Sequence, residues 1–65
     1  MTLDEIRRRV EVVLRVAHGD PESAHIEDDN LRQDVLEGIR DGSIEDPAAA
    51  AAIALETGDI ERWYA

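Results

Sequence analysis

Residues 21–41 read PESAHIEDDNLRQDVLEGIRD, the one segment of this 65-residue chain long enough to be a central helix. At about 100° per residue, Ala24, Leu31, Val35 and Ile39 fall on one face, with Leu36 at its edge. That spacing predicts an amphipathic helix facing a core. Asp20 stands before Pro21 as an N-cap, and proline at the first helical position loses no hydrogen bond by lacking its N–H. Gly42 supplies the stop. The opposite side carries Glu27, Asp34 and Asp41, with Glu37 beside them. One residue breaks the pattern: Asp28 projects into the apolar stripe, with His25 three residues before it and Arg32 four after.

Upstream, Thr2-Leu3-Asp4-Glu5 is a capping-box sequence. The helix it opens is expected to run to about Ala17, with Leu3, Ile6, Val10, Val13, Leu14 and Ala17 in one arc. Val12 and Val16 lie off that stripe, one turn apart, as a second small apolar ridge. His18-Gly19-Asp20-Pro21 is the break, with Gly19 free to take a left-handed conformation. So short a connection predicts an antiparallel hairpin of the first two helices.

Downstream, Ile44 is expected to plug the end of the core, and Asp46-Pro47 repeats the cap-plus-proline device. The next ten residues, AAAAAIALET, carry one charge, Glu56. A helix so bare, with Ile53 and Leu55 pointing in different directions, is expected to be covered on two sides. Ile60, Trp63 and Tyr64 form a final turn, Trp63 docked within the chain and Tyr64 at the rim with a wet hydroxyl. The expected architecture is all-α: a single small helical domain over residues 1–65, an antiparallel hairpin with a short Ala-rich third helix and a C-terminal turn.

A chain this short buries only about 60% of its unfolded surface. Without cysteine it has neither a disulfide nor a thiolate metal site to add stability, which leaves oligomerisation or a partner. Val12, Val16 and Leu55 are the apolar residues left over, and a homodimer would bury them. Net charge is −9, from 16 acids against 7 bases, which weighs against direct binding to a phosphate backbone. The charge is uneven. Residues 1–17 hold four Arg and three acids, whereas residues 18–65 hold three Arg and thirteen acids. Arginine without lysine, among nine alanines, fits a GC-rich coding background. There is no apolar run of about 18 residues to cross a membrane and no secretory pattern at Met1, so a cytoplasmic location is expected.

His25, Asp28 and Arg32 form the sharpest chemical group. A core-facing carboxylate must be paired or neutralised, and both neighbours are placed to reach it. One reading is a structural network that fixes helix register; the other is a polar contact or proton-handling site. Metal ligation has donors in His25 and Asp29, with His18, Glu22 and Asp28 nearby. It lacks the four well-placed ligands of a zinc site, and Glu27-Asp28-Asp29-Asn30 lacks the glycine and spaced glutamate of a calcium loop. No catalytic residue, metal or cofactor is therefore expected. The acidic ridge of Glu27, Asp34, Glu37 and Asp41 reads either as a solvated face paired with arginines of the first helix or as a mimic of a phosphate backbone. Trp63 and Tyr64, the only aromatics, suit a binding surface as well as a core.

The run Asp20-Pro21-Glu22-Ser23-Ala24-His25, then Glu27-Asp28, Leu31, Asp34-Val35-Leu36 and Ile39, with an Asp-Pro-Ala segment and a Trp-x-Ala terminus, resembles short acidic proteins encoded by actinobacteria and their phages. The likeness covers most of the chain after Gly19. It departs at Asp59-Ile60-Glu61-Arg62-Trp63, which is more polar, and its motifs mark no particular activity. The resemblance implies an accessory, phage-linked context and no enzyme. Together these readings point to a non-catalytic protein that binds a host or self protein through helical surface. An acidic inhibitor of a nucleic-acid-binding protein is the alternative, and a metal-linked enzyme or sensor a more distant one.

Overall fold

The computed structural model describes residues 1–58, which form three α-helices and no strand. The C-terminal turn expected around Ile60, Trp63 and Tyr64 lies outside the described residues. Helix α1 spans Leu3–Gly19 and opens on the full capping box: the Glu5 N–H donates to Thr2 Oγ1 (3.1 Å), and the Thr2 N–H to Glu5 Oε1 (3.2 Å). It runs two residues beyond Ala17, so Gly19 is helical and does not take the left-handed conformation expected of it. The reversal belongs to Asp20 alone. Its N–H closes α1 on the Val16 carbonyl (2.8 Å), while its carboxylate accepts from the Ser23 N–H (3.1 Å) to open α2, Pro21–Asp41. Proline at the next position forbids a continuous helix, because the residue before it is driven out of the α region.

The two helices run antiparallel, as expected, with Arg9 of α1 meeting Asp34 of α2 at 2.6 Å. Their interface is Ile6, Val10, Val13 and Ala17 against Ala24, Leu31 and Val35, all buried. Removing each large aliphatic side chain from water contributes about 1.5–3 kcal/mol. Leu14 does not join them. It is 38% exposed at the edge of the stripe, and Leu36 is 66% exposed on the far edge of α2.

Helix α2 ends as a Schellman motif. Gly42 takes φ 75°, its N–H donates to the Ile39 carbonyl (3.2 Å), and Ser43 N–H reaches back to Gly38 (3.0 Å). This turn drives Ile44 into the end of the core, where it packs directly on Gly38. Helix α3, Pro47–Ala54, starts on Asp46, which accepts the Ala49 N–H at 3.0 Å, and finishes in a 3-10 turn, Leu55–Thr57. It packs on both α1 and α2, but with one face: Ala50, Ile53, Ala54 and Thr57 are buried, while Ala48, Ala51, Ala52 and Leu55 are exposed. Two neighbours approach α3, as expected, but among the described residues they cover a single face and leave Leu55 exposed. One row at i, i+3, i+4, i+7 seats in the valley of the hairpin, and the other face is bare alanine. No helix among the described residues is long and apolar enough to cross a membrane.

Candidate functional site

Asp28 lies on the buried row of α2, between Ala24 and Leu31, with none of its surface exposed. The helix carries it inward because its neighbours at i−4 and i+3 are core residues. Arg32, one turn on, supplies the countercharge: its Nε is 3.1 Å from Asp28 Oδ2, and its side chain is 29% exposed. The third member comes from a different element. Thr57, in the 3-10 turn after α3 and equally sealed, donates its hydroxyl to Asp28 Oδ1 and accepts from Arg32 Nη2 at 3.3 Å. The Ala54 carbonyl is also 3.0 Å from Thr57 Oγ1. A hydroxyl has one proton, and a carboxylate is the stronger acceptor, so the bond to Asp28 wins it. Asp28, Arg32 and Thr57 together pin the end of α3 to the middle of α2.

His25 reaches along the outer side of α2, where its Nε2 lies 3.7 Å from Asp29 Oδ2. Asp28 and Arg32 of the expected His25–Asp28–Arg32 group are thus joined and Thr57 is added from another element, while His25, at the edge of the buried row, lies near the exposed carboxylate of Asp29 one turn on. The sequence did hold a signal for Thr57: Ala50, Ile53, Ala54 and Thr57 share one face, which places a polar side chain in the core. Asp28 and Thr57 touch no solvent, and a base or nucleophile needs a substrate within hydrogen-bond reach. The arrangement holds the fold together. Among the described residues no group of three or more His, Asp or Glu is placed to hold a metal ion.

The acidic ridge is on the surface, with Glu27, Asp34, Glu37 and Asp41 all exposed. Three of its members are engaged within the chain: Asp34 with Arg9, Glu37 Oε1 accepting from Gln33 Nε2 (3.2 Å), and Asp41 with Arg40 (3.3 Å). The Val12–Val16 ridge does not exist as an exposed pair. Val12 is 41% exposed, whereas Val16 packs against the core because α2 crosses close on that side. Trp63 and Tyr64 lie outside the described residues.

The larger apolar feature is one that sequence spacing did not reveal. Between α2 and α3 runs a groove of about 210 Å³, walled by Leu36 and Ile39 on one side and Ala51, Ala54 and Leu55 on the other, with Arg32 at its end. Leu36 and Leu55 are 66% and 68% exposed along its rims. Its volume is below the roughly 300–1,000 Å³ of small-molecule sites and suits inserted side chains better. Compared with protein-family models, curated proteins and solved structures, the chain matches none.

Proposed function

We propose that this chain is a non-catalytic interaction protein, an accessory factor that engages a host or self protein through its helical surface. The groove between α2 and α3 carries this reading. Two leucines stand two-thirds exposed over an alanine floor on a chain otherwise rich in charge. Exposed aliphatic rims around small residues are what an incoming helix or side chain packs on. The burial of Asp28 and Thr57 supports a structural role for the chain's most reactive-looking group. An accessory, phage-linked setting fits the resemblance drawn from residues 20–39.

A second reading is kept by one observation: Glu27, Asp34, Glu37 and Asp41 form an exposed acidic row on the other flank of α2. Such a row would meet the basic cleft of a nucleic-acid-binding protein. It ranks behind the groove because Asp34 already accepts from Arg9 at 2.6 Å. The immobilised chain, offered both a GC-rich bacterial lysate and its own untagged copies, separates the two. Capture that is lost with Leu36→Glu and kept with Glu37→Gln supports the groove. Capture lost with Glu37→Gln and Asp41→Asn, and kept with Leu36→Glu, replaces it with the acidic row.

A further inference from the structure

The three helices contribute unequally to the core. The hairpin supplies Ile6, Val10, Val13, Leu31 and Val35, all buried, and Ile44 is fixed at its end against Gly38. Residues 47–57 add one large aliphatic side chain, Ile53, with Ala50, Ala54 and Thr57 beside it. A helix this short has little stability of its own, since isolated helices below about 12–15 residues are marginal in water. It stays helical because it is docked, so undocking and unwinding are one event.

Both ends of the segment suit such an event. Ile44 holds the chain to the end of α2, and Glu45 and Asp46 after it are exposed and belong to no helix. They can turn without disturbing the plug. At the far end, among the described residues, the hydrogen bonds that join residues 47–57 to the hairpin both end on Thr57 Oγ1. Asp28 lies beneath them with no exposed surface. A sealed carboxylate loses its hydration while α3 is docked, and the Thr57 hydroxyl offsets part of that loss. Arg32 stands on the same helix as Asp28, 3.1 Å away, so the countercharge stays in place when α3 leaves. Opening therefore separates no ion pair and returns a carboxylate to water. It gives up the burial of one isoleucine, two alanines and the hairpin surface beneath them.

We propose that residues 47–57 are a strap that leaves the α1–α2 hairpin as one unit, hinged at Glu45–Asp46 and fastened by the Thr57–Asp28 hydrogen bond. The hairpin, with the larger share of aliphatic side chains, keeps its helices in the open form. The strap is one wall of the α2–α3 groove, so the groove exists only while the strap is fastened. The device belongs to the chain alone and depends on no partner.

Native-state hydrogen exchange of the full chain, read residue by residue, tests it. Amides 51–55 are expected to share one opening constant, at least about tenfold larger than that of Val10, Val13, Leu31 and Val35. Gly19→Ala stabilises the hairpin in the closed and open forms alike. It is expected to slow the hairpin amides about two- to fivefold and to leave amides 51–55 unchanged. Thr57→Val removes the fastening and is expected to speed amides 51–55 about fivefold or more. Thr57→Ser, which keeps the hydroxyl, is expected to speed them less. Because Gly19→Ala is stabilising, the test stands even if Thr57→Val fails to fold. Amides 51–55 that exchange with the hairpin, and slow by the same factor in Gly19→Ala, show a chain that opens only as a whole and overturn the proposal. Exchange graded from Leu55 back to Ala51, with no common constant, is fraying and overturns it too. A larger effect of Thr57→Ser than of Thr57→Val gives the fastening to the methyl group and overturns the role of the Thr57–Asp28 bond.

Discussion

At the residue scale, the core is decided by two positions where an ordinary apolar residue is missing. Asp28 is fully buried, and its second oxygen depends on a hydroxyl from the far end of the chain. Thr57→Val keeps the volume and removes the donor. It is expected to lower unfolding stability by about 1–3 kcal/mol, the cost of an unsatisfied buried acceptor. Asp28→Asn should also lower the melting temperature while leaving association through the groove unchanged. Loss of association at an unchanged melting temperature would turn Asp28 into a functional group instead. Gly38 is the second position. A Cβ there would stand 2.7 Å from Ile44 Cδ1, and Ile44 is itself buried. Gly38→Ala therefore gains helix propensity of about 1 kcal/mol but overpacks a sealed site at a cost of about 1–3 kcal/mol. The net expectation is destabilisation. Gly19 is helical with nothing within 4 Å of its would-be Cβ, so Gly19→Ala is expected to stabilise by about 0.4–1 kcal/mol. Urea melts of the pair should move in opposite directions, and a shared sign would refute the packing of Ile44 on Gly38.

At the scale of elements, caps were the most legible feature of the sequence. Thr2, Asp20, Asp46 and Gly42 each do what their residue type and position predict, because capping is settled within four or five residues. The lengths of the breaks were less legible: Gly19 reads as a turn residue, yet the Asp20-Pro21 pair suffices and the helix continues through it. Tertiary placement was least legible. Leu14 and Leu36 satisfy the apolar period of their helices, but a short third helix covers only part of the hairpin valley and leaves both at its edges. One partner of Asp28 was missed for the same reason: local spacing puts Thr57 on the buried face after α3, but nothing local says that it meets a residue 29 positions away. The caps also set a pH dependence. The Asp20 carboxyl is held below its ordinary value of 3.8, first by the Ser23 hydroxyl and then by the Ser23 N–H. A depressed carboxyl pKa means the folded state binds fewer protons, so its contribution is complete above the ordinary value and lost as pH falls through the folded one. Asp20→Asn keeps a cap but cannot ionise. The stability difference between wild type and this variant should be constant near pH 6 and shrink between about pH 5 and pH 2. Thermal melts that stay parallel across that range would remove the cap's electrostatic share.

At the scale of the whole molecule, a thin core and a large like charge oppose one another. A domain this small has only about 3–5 kcal/mol in hand. Val35→Asp puts an unpaired charge into the α1–α2 interface and is expected to unfold it, whereas Leu14→Asp, at an exposed edge, should melt cooperatively. If both variants unfold, the edge position of Leu14 is wrong. Against that narrow margin stands the self-repulsion of a −9 chain. Salt screens repulsion and attraction alike, so its net effect depends on which of the two is stronger. Among the described residues the long-range attractive contact on the surface is Arg9–Asp34, half-exposed and worth under about 1 kcal/mol. The buried Asp28–Arg32 pair is shielded from ions by the core and changes little. Repulsion, by contrast, sums over thirteen acids and three arginines between residues 18 and 65, and most acids among the described residues are exposed. Repulsion therefore outweighs attraction. Raising NaCl from about 10 mM to about 500 mM is expected to raise the melting temperature by several degrees, a degree or so of shift per few tenths of a kcal/mol in so small a domain. Sodium sulfate would confuse screening with exclusion from the surface, so chloride is the salt to use. A melting temperature that falls with NaCl would mean that ion pairs such as Arg9–Asp34, and not the packed hairpin, hold the two helices together.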